Sequence, residues 1–244
     1  MSGVLRVGTS GFSYAAWAPA FYPAGLRGED FLRSYAERLS ACELNNTFYR
    51  QPSGAAIAGW LARTPESFRF AVKAQRGGSM RALIGDDQPE SVGWLTGPLD
   101  GFGARLGCVL YRVPGEIVRT DDRHDRLARL LGLWPARFPL VLEFQDESWH
   151  VDETFALMRE HGAVLCATDL DERAEPPDVR VTGSFLYLRL RRTTYDDADV
   201  AAWALRIAPF LDAGLDVYAF FRHDETGVSP LRAMSLAERV APRT

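Results

Sequence analysis

A single (β/α)8 barrel is the fold this sequence predicts, and three observations predict it. Eight short apolar runs alternate with amphipathic helical patterns along the chain. Those units fill 244 residues, close to the roughly 250 of a typical barrel. The main rival, a doubly wound open sheet, would carry a GxGxxG turn after its first strand, and the glycines of "VGTSGFS" have the wrong spacing. The expected organisation is one domain over residues 1–244.

Taken in order, the strands are expected at residues 4–9, 41–46, 68–74, 105–113, 139–145, 163–169, 184–190 and 216–222. Most are rich in Val, Leu, Phe, Tyr or Cys and read as buried on both faces, as parallel strands are. "EDFLRSYAERLS" places Phe31, Leu32, Tyr35 and Leu39 at helical spacing. "DRHDRLARLLGLW", "DETFALMREHG", "DDADVAAWALRIAPFLDAG" and "SPLRAMSLAERV" repeat the pattern between later strands. Asp152 and Ser229 are the expected N-caps, and Gly162 and Gly214 the expected helix stops. Residues 170–183, with Pro176 and Pro177, read as a loop that replaces or shortens the sixth helix.

The totals exclude several classes. A formal charge of -4 gives no overall attraction to nucleic acid or to acidic membranes. No run approaches the roughly 18 apolar residues of a membrane span, and the start lacks a charged segment followed by a long apolar stretch. Cys42, Cys108 and Cys166 are odd in number, far apart and set in apolar runs. They read as small buried hydrophobes rather than as a disulfide framework, a metal pair or a catalytic thiol. A reducing cytoplasm is the expected location. No cofactor and no oligomeric state follow from the sequence.

Chemistry on such a barrel belongs at the C-terminal ends of the strands. Those ends read Thr9 and Ser10, Glu43 and Asn45, Lys73, Arg112, Glu143 and Gln145, Asp169, Arg189, and Arg222 with His223. Period-2 alternation groups Glu43 with Asn45, Lys73 with Ala71, Glu143 with Val141, Asp169 with Ala167 and Arg189 with Tyr187. The pattern expected is small or apolar residues deep in the barrel and an ionisable group at its mouth. A structural ion-pair network is the competing reading, but seven or more inward charges on different strands would carry a large desolvation cost.

The stretches "GTSGFSYAAW", "FYP" at 21–23, "ELNNTFYRQP", "TPESFRFAVKAQR", "LGCVL", "SW" at 148–149 and "YLRL" together resemble the family called domain of unknown function 72, or YecE-like. The resemblance spans nearly the whole chain. It implies a TIM-type barrel and no particular reaction. By matching position it carries the family's recurrent polar residues onto Ser10, Tyr14, Trp17, Glu43, Asn45, Thr47, Tyr49, Lys73, Arg76, Glu143, Trp149, Asp169 and Arg189. The chain departs from the pattern at Ser79 and Met80, at Arg112 and Gln145, at Arg191 and Arg192, and at Arg222 and His223. Gln and Arg look exchanged between positions 112 and 145, which would keep one guanidinium over Glu143 while moving its origin. The added arginines strengthen anion binding, at the strand ends where barrels often hold a phosphate.

The function expected is therefore binding of a small phosphate- or carboxylate-bearing molecule at the mouth, with acid/base hydrolase, lyase or isomerase chemistry. Glu43 and Glu143 are the candidate acid–base pair, and Lys73 and Asp169 complete the catalytic set. Ser10, Tyr14, Asn45, Tyr49, Arg76, Arg112, Trp149, Arg189, Arg222 and His223 are the candidate ligand-binding residues. Four alternatives stand beside it. A non-catalytic metabolite-binding barrel would use the same charges. A glycosidase would place two carboxylates over an aromatic platform. Lys73 could form a Schiff base if its pKa is depressed. Glu43, Glu143, Asp169 and His223 have the ligand types of a metal-dependent sugar isomerase or endonuclease, although no HxH or HExxH spacing concentrates them.

Overall fold

The structure, a computed structural model, describes residues 2–240. Eight parallel strands run β1 (Leu5–Thr9), β2 (Ala41–Leu44), β3 (Arg69–Lys73), β4 (Leu106–Val113), β5 (Leu140–Phe144), β6 (Val164–Asp169), β7 (Phe185–Leu190) and β8 (Asp216–Phe221). Each lies within a residue or two of its expected span. Every consecutive pair from β2 to β8 is hydrogen bonded, and β8 pairs with β1. Between β1 and β2 a bridge links Ser10 and Glu43, and the Gly11 amide donates to the Glu43 carbonyl. Gly8 permits this approach, because a Cβ there would lie 1.9 Å from the Ala41 carbonyl oxygen. The chain is thus an α/β barrel of the TIM type.

The helices are α1 (Phe31–Ala36), α2 (Gly54–Leu61), α3 (Arg76–Ile84), α4 (Gln88–Thr96), α5 (Asp121–Leu133), α6 (Asp152–Glu160), α7 (Asp197–Asp212) and α8 (Val228–Val240). α2, α3 and α4 were not legible as helical patterns. α3 opens on "RGGS" and shows no apolar periodicity, and local caps mark it instead: the Gln75 side chain accepts from the Gly78 amide. Ser53 and Asp87 cap α2 and α4 in the same way. No helix separates β6 from β7, as the proline-bearing loop at 170–183 led us to expect.

Gly162 and Gly214 take positive φ where α6 and α7 stop, a conformation that costs glycine little. The two expected N-caps are corrected. Val151 precedes α6 without a side-chain cap, and Asp152 is its first residue. α8 begins before Ser229, and Asp224 does the capping: its carboxylate accepts from the amides of Thr226, Gly227, Val228 and Ser229.

Two apolar clusters result. The larger lies between strands and helices, and the smaller fills the barrel with Ala41, Ala71, Cys108, Leu110, Val141, Val164, Cys166, Phe185, Tyr187, Tyr218 and Phe220. These small and large side chains leave a packed floor beneath the mouth rather than a pore. The three cysteines are buried and free, and burial pushes their thiols up from the ordinary value, so they stay protonated. Trp17, Phe21 and Tyr22 are also buried, packed against Phe31 and Tyr35.

Candidate functional site

The inward face of the barrel decides which strand-end residues meet. On β7 it runs Phe185, Tyr187, Arg189, and Arg189 stands on the same side as the packed floor. Its guanidinium is the centre of the mouth. Nε and Nη2 donate to the two oxygens of Glu43 at 2.9 and 2.7 Å, and Nη1 donates to Glu143 Oε1 at 2.7 Å. Arg189 is 2% exposed and the two glutamates 0% and 3%. Bidentate, charge-assisted bonds of this kind offset the cost of burying all three charges.

The two carboxylates are not equivalent. Glu43 Oε1 also accepts from Ser10 Oγ at 2.8 Å, and Oε2 from the Tyr187 hydroxyl at 2.8 Å. With both oxygens doubly bonded, Glu43 has no free acceptor and holds Arg189 in place. Burial alone would raise its pKa, but the Arg189 charge and bonds, Lys73 and the Tyr187 hydroxyl hold it down to about 2. Glu143 Oε1 accepts from Arg189 and, at 3.1 Å, from Thr168 Oγ1. Its Oε2 has no hydrogen-bond partner, and Arg112 Nε is 3.7 Å away. Burial raises the Glu143 pKa, yet Arg189 and Arg112 outweigh burial and the Glu43 charge, so the net shift is downward and the group is ionised. Of the expected acid–base pair, Glu143 alone presents a free oxygen.

Glu143 lines a cavity of about 600 Å³ at the C-terminal ends of the strands. The cavity exists because pairing between β5 and β6 is registered only at Val141 with Val164 and Leu142 with Leu165. Past that point no pairing is registered, and with no helix between β6 and β7 the loop from Leu170 to Arg180 lines the outer side together with Glu147, His150 and Phe155. Lys73, Arg112, Glu143, Arg189 and Arg191 line its barrel side. Arg173 pairs with Glu147 and Arg180 with Asp178 on the loop side, with Glu175 at the rim.

Lys73, 8% exposed, sits over the Phe48 ring with Nζ 4.2 Å from its centroid. Among the described residues its ammonium makes no hydrogen bond or ion pair. Burial first, and Arg189 and Arg112 after it, pull its pKa down to about 8 against the attraction of Glu43 and Glu143. Burial and Arg189 also lower the pKa of Arg191, which likewise has no acidic partner among the described residues.

The remaining expectations separate. Asp169 is corrected: it lies on the outer face of β6, where it accepts from Arg192 Nε at 2.9 Å, the Tyr195 hydroxyl at 2.9 Å and Trp203 Nε1 at 3.2 Å. Grouping it with Ala167 was right, but Ala167 faces the helices and Thr168 faces the mouth. Trp149 is also corrected. It is fully buried behind β5, stacked on Phe144 with Nε1 donating to the Ile117 carbonyl, and offers no platform to a ligand.

Tyr49 is 78% exposed and Asn45 does not line the cavity. Arg76 and Arg112 border a smaller hollow of about 200 Å³ with Gln145. Tyr14 stacks on His223 at 5.0 Å on the β1–β8 side, and Arg222 is exposed there. Burial, Arg191 and Arg222 lower the His223 pKa. The metal set fails as a set: with Asp169 turned outward, no three His, Cys, Asp or Glu side chains gather among the described residues. Arg112 stands beside Glu143, paired across the strands in register.

Thr168 and Tyr187 were missed. Tyr187 was legible, since a tyrosine two residues before an inward arginine shares its face. Thr168 was not, because small residues on both faces of β6 hide which side is inward.

The family described as "Protein of unknown function DUF72" matches residues 6–244. The UPF0759 protein YunF of Bacillus subtilis is 25% identical over 67% of this chain, and the match spans 62% of that relative's length. A DUF72 family protein from Thermotoga maritima superposes with a TM-score of 0.81 at 24% identity, covering 96% of this chain and 98% of that one. One from Enterococcus faecalis gives 0.80 at 18% identity, covering 99% and 97%. At these identities the solved structures share the fold with this chain. No helix among the described residues is long and apolar enough to cross a membrane.

Proposed function

We propose, for a chain that belongs to the DUF72 family of proteins of unknown function, that the barrel mouth binds a small phosphate- or carboxylate-bearing molecule and that Glu143 does acid/base chemistry on it. One observation carries the reading. Arg189 is already matched by Glu43 and Glu143, so Lys73, Arg191 and most of the Arg112 charge are left facing a cavity that holds no further barrel-side acid. Buried cations without partners are costly. An anion supplied by a ligand removes that cost. Of the four oxygens of Glu43 and Glu143, Glu143 Oε2 is the one without a hydrogen-bond partner, and Glu143 lines the same cavity. General acid/base work by one such group supplies roughly 10²- to 10⁴-fold.

Thermal unfolding with inorganic phosphate, oxalate and citrate at millimolar concentration tests the binding step. A ligand at a hundredfold excess over its Kd adds about 2.7 kcal/mol, which raises Tm by roughly 5–10 °C for a chain of this size. Arg191→Ala is expected to abolish the shift. Absence of any shift with all three anions would remove the reading. Glu143→Gln separates enzyme from binder: an enzyme loses product formation and keeps the ligand-induced shift, whereas a barrel that only binds forms no product from any ligand that shifts it.

A further inference from the structure

Among 28 lysines and arginines in this chain, 27 are arginine and one is lysine, Lys73. Arginine meets the demand for positive charge everywhere else, including its neighbours Arg112, Arg189 and Arg191 at the mouth. Charge alone therefore does not explain the exception. The chemical difference is that a guanidinium stays protonated in proteins whereas an ammonium can lose its proton and become a nucleophile.

We infer that Lys73 is a nucleophile which forms an imine with the carbonyl group of a small aldehyde, ketone or 2-oxo acid carrying a phosphate or carboxylate, held in the mouth cavity. The inference rests on the anion-binding reading above for the charge of its substrate, and on geometry of its own for the reaction. Lys73 lines the cavity, is nine-tenths buried and has no acceptor for its ammonium among the described residues. The two nearby carboxylates are drawn to Arg189 instead. Phe48 supplies an apolar wall on one side, and burial, with the Arg189 and Arg112 charges behind it, disfavours the protonated form. With a pKa of about 8, about a tenth of the amine is neutral at pH 7, against roughly one part in three thousand for an ordinary lysine.

The step balances without a co-reactant. The neutral Nζ lone pair attacks the carbonyl carbon, forming a C–N bond while the C=O π pair moves to oxygen. The Glu143 carboxylate carries one proton from the attacking nitrogen to the alkoxide, giving a carbinolamine, and then the nitrogen's second proton to that hydroxyl. Water leaves as the nitrogen lone pair forms C=N, so amine and carbonyl become imine and water. Protonated, the imine draws electrons from the adjacent carbon, which makes its C–H bond acidic enough for Glu143 to act on.

The test uses the wild-type chain, which offers two amines, Lys73 and the α-amino group. Pyruvate and dihydroxyacetone phosphate are each incubated with the protein and sodium cyanoborohydride, and labelling is located by peptide mass mapping. The expected result is saturable reductive alkylation of Lys73 at least ten-fold faster than in the urea-unfolded chain, rising with pH through about 8. Glu143→Gln is expected to slow it at least ten-fold without moving the label, and Lys73→Arg to abolish it at that peptide.

Acetaldehyde and added phosphate separate the two proposals. If phosphate raises Tm but Lys73 is alkylated no faster than in unfolded chain, the imine is overturned and anion binding stands. If uncharged acetaldehyde labels Lys73 as fast as pyruvate and phosphate neither raises Tm nor competes, the anionic substrate class is overturned and the nucleophile stands.

Discussion

At the residue scale, one arginine organises the mouth and makes its two carboxylates unlike. Glu43 accepts four hydrogen bonds and Glu143 two, both on one oxygen. Removing one partner of a buried pair leaves an uncompensated charge, so Glu43→Gln is expected to cost about 3–5 kcal/mol in urea unfolding. Glu143→Gln should cost less, because Arg189 keeps both bonds to Glu43. Equal losses in the two variants would mean that the mouth treats them alike. Lys73 has the opposite sign. Its folded pKa of about 8 lies below the ordinary 10.5, so folding opposes protonation, and the cost accumulates as pH falls from 10.5 to 8 and is constant below. Lys73→Met is therefore expected to stabilise the protein at pH 7 by about 1–3 kcal/mol, read as a higher urea midpoint.

At the element scale, strand parity and strand length set what reaches the cavity. β6 turns Thr168 inward and Asp169 outward, and Asp169 then anchors the β7–α7 segment through Tyr195, Trp203 and Arg192. Asp169→Asn should destabilise the fold by about 1–3 kcal/mol while leaving the anion-induced rise in Tm intact. Loss of that rise would return Asp169 to the site. On β4 and β5, Arg112 and Gln145 end adjoining strands, and Arg112 Nε lies 3.7 Å from Glu143 Oε2. If the two positions exchanged side chains as a unit, Arg112→Gln combined with Gln145→Arg recovers ligand binding that Arg112→Gln alone loses. A coupling above about 0.5 kcal/mol in the double-mutant cycle marks the compensation, and additive losses exclude it.

At the scale of the whole molecule, closure of the barrel brings residues 10, 43, 143 and 189 onto one centre. The seam between β1 and β2 depends on Gly8, where a Cβ would meet the Ala41 carbonyl oxygen at 1.9 Å. Gly8→Ala is expected to cost about 1–3 kcal/mol or more and to loosen Ser10 and Glu43 together, seen as faster hydrogen exchange at the Gly11 amide. The buried carboxylates also give the molecule its acid limit. Glu43 titrates at about 2 when folded against 4.5 ordinarily, and Glu143 is lowered too. Their stabilisation is fully present above pH 4.5 and is lost as pH falls towards 2. Stability measured between pH 5 and 2 should fall steeply in wild type and less steeply in Glu43→Gln.

The sequence by itself determined the barrel, because eight apolar runs of strand length separated by helix-sized intervals leave few other ways to bury them. It also located the ring of ionisable strand ends, since position along a strand is a one-dimensional property: Glu43, Lys73, Glu143 and Arg189 were legible in it. Lys73 is also the single lysine of the sequence. Only the tertiary structure decided which of these groups are free. Pairing with Arg189 is a matter of distances across the barrel, which linear spacing does not contain, and it left Glu143 with an open oxygen and Glu43 with none. Tertiary packing likewise turned Asp169 away from the mouth, because on a strand buried on both faces polarity no longer marks the inner side, and it buried Trp149, in the turn after β5, against Phe144. α2, α3 and α4 escaped the periodic reading for a related reason: local caps and contacts with their neighbours specify them, not an amphipathic repeat.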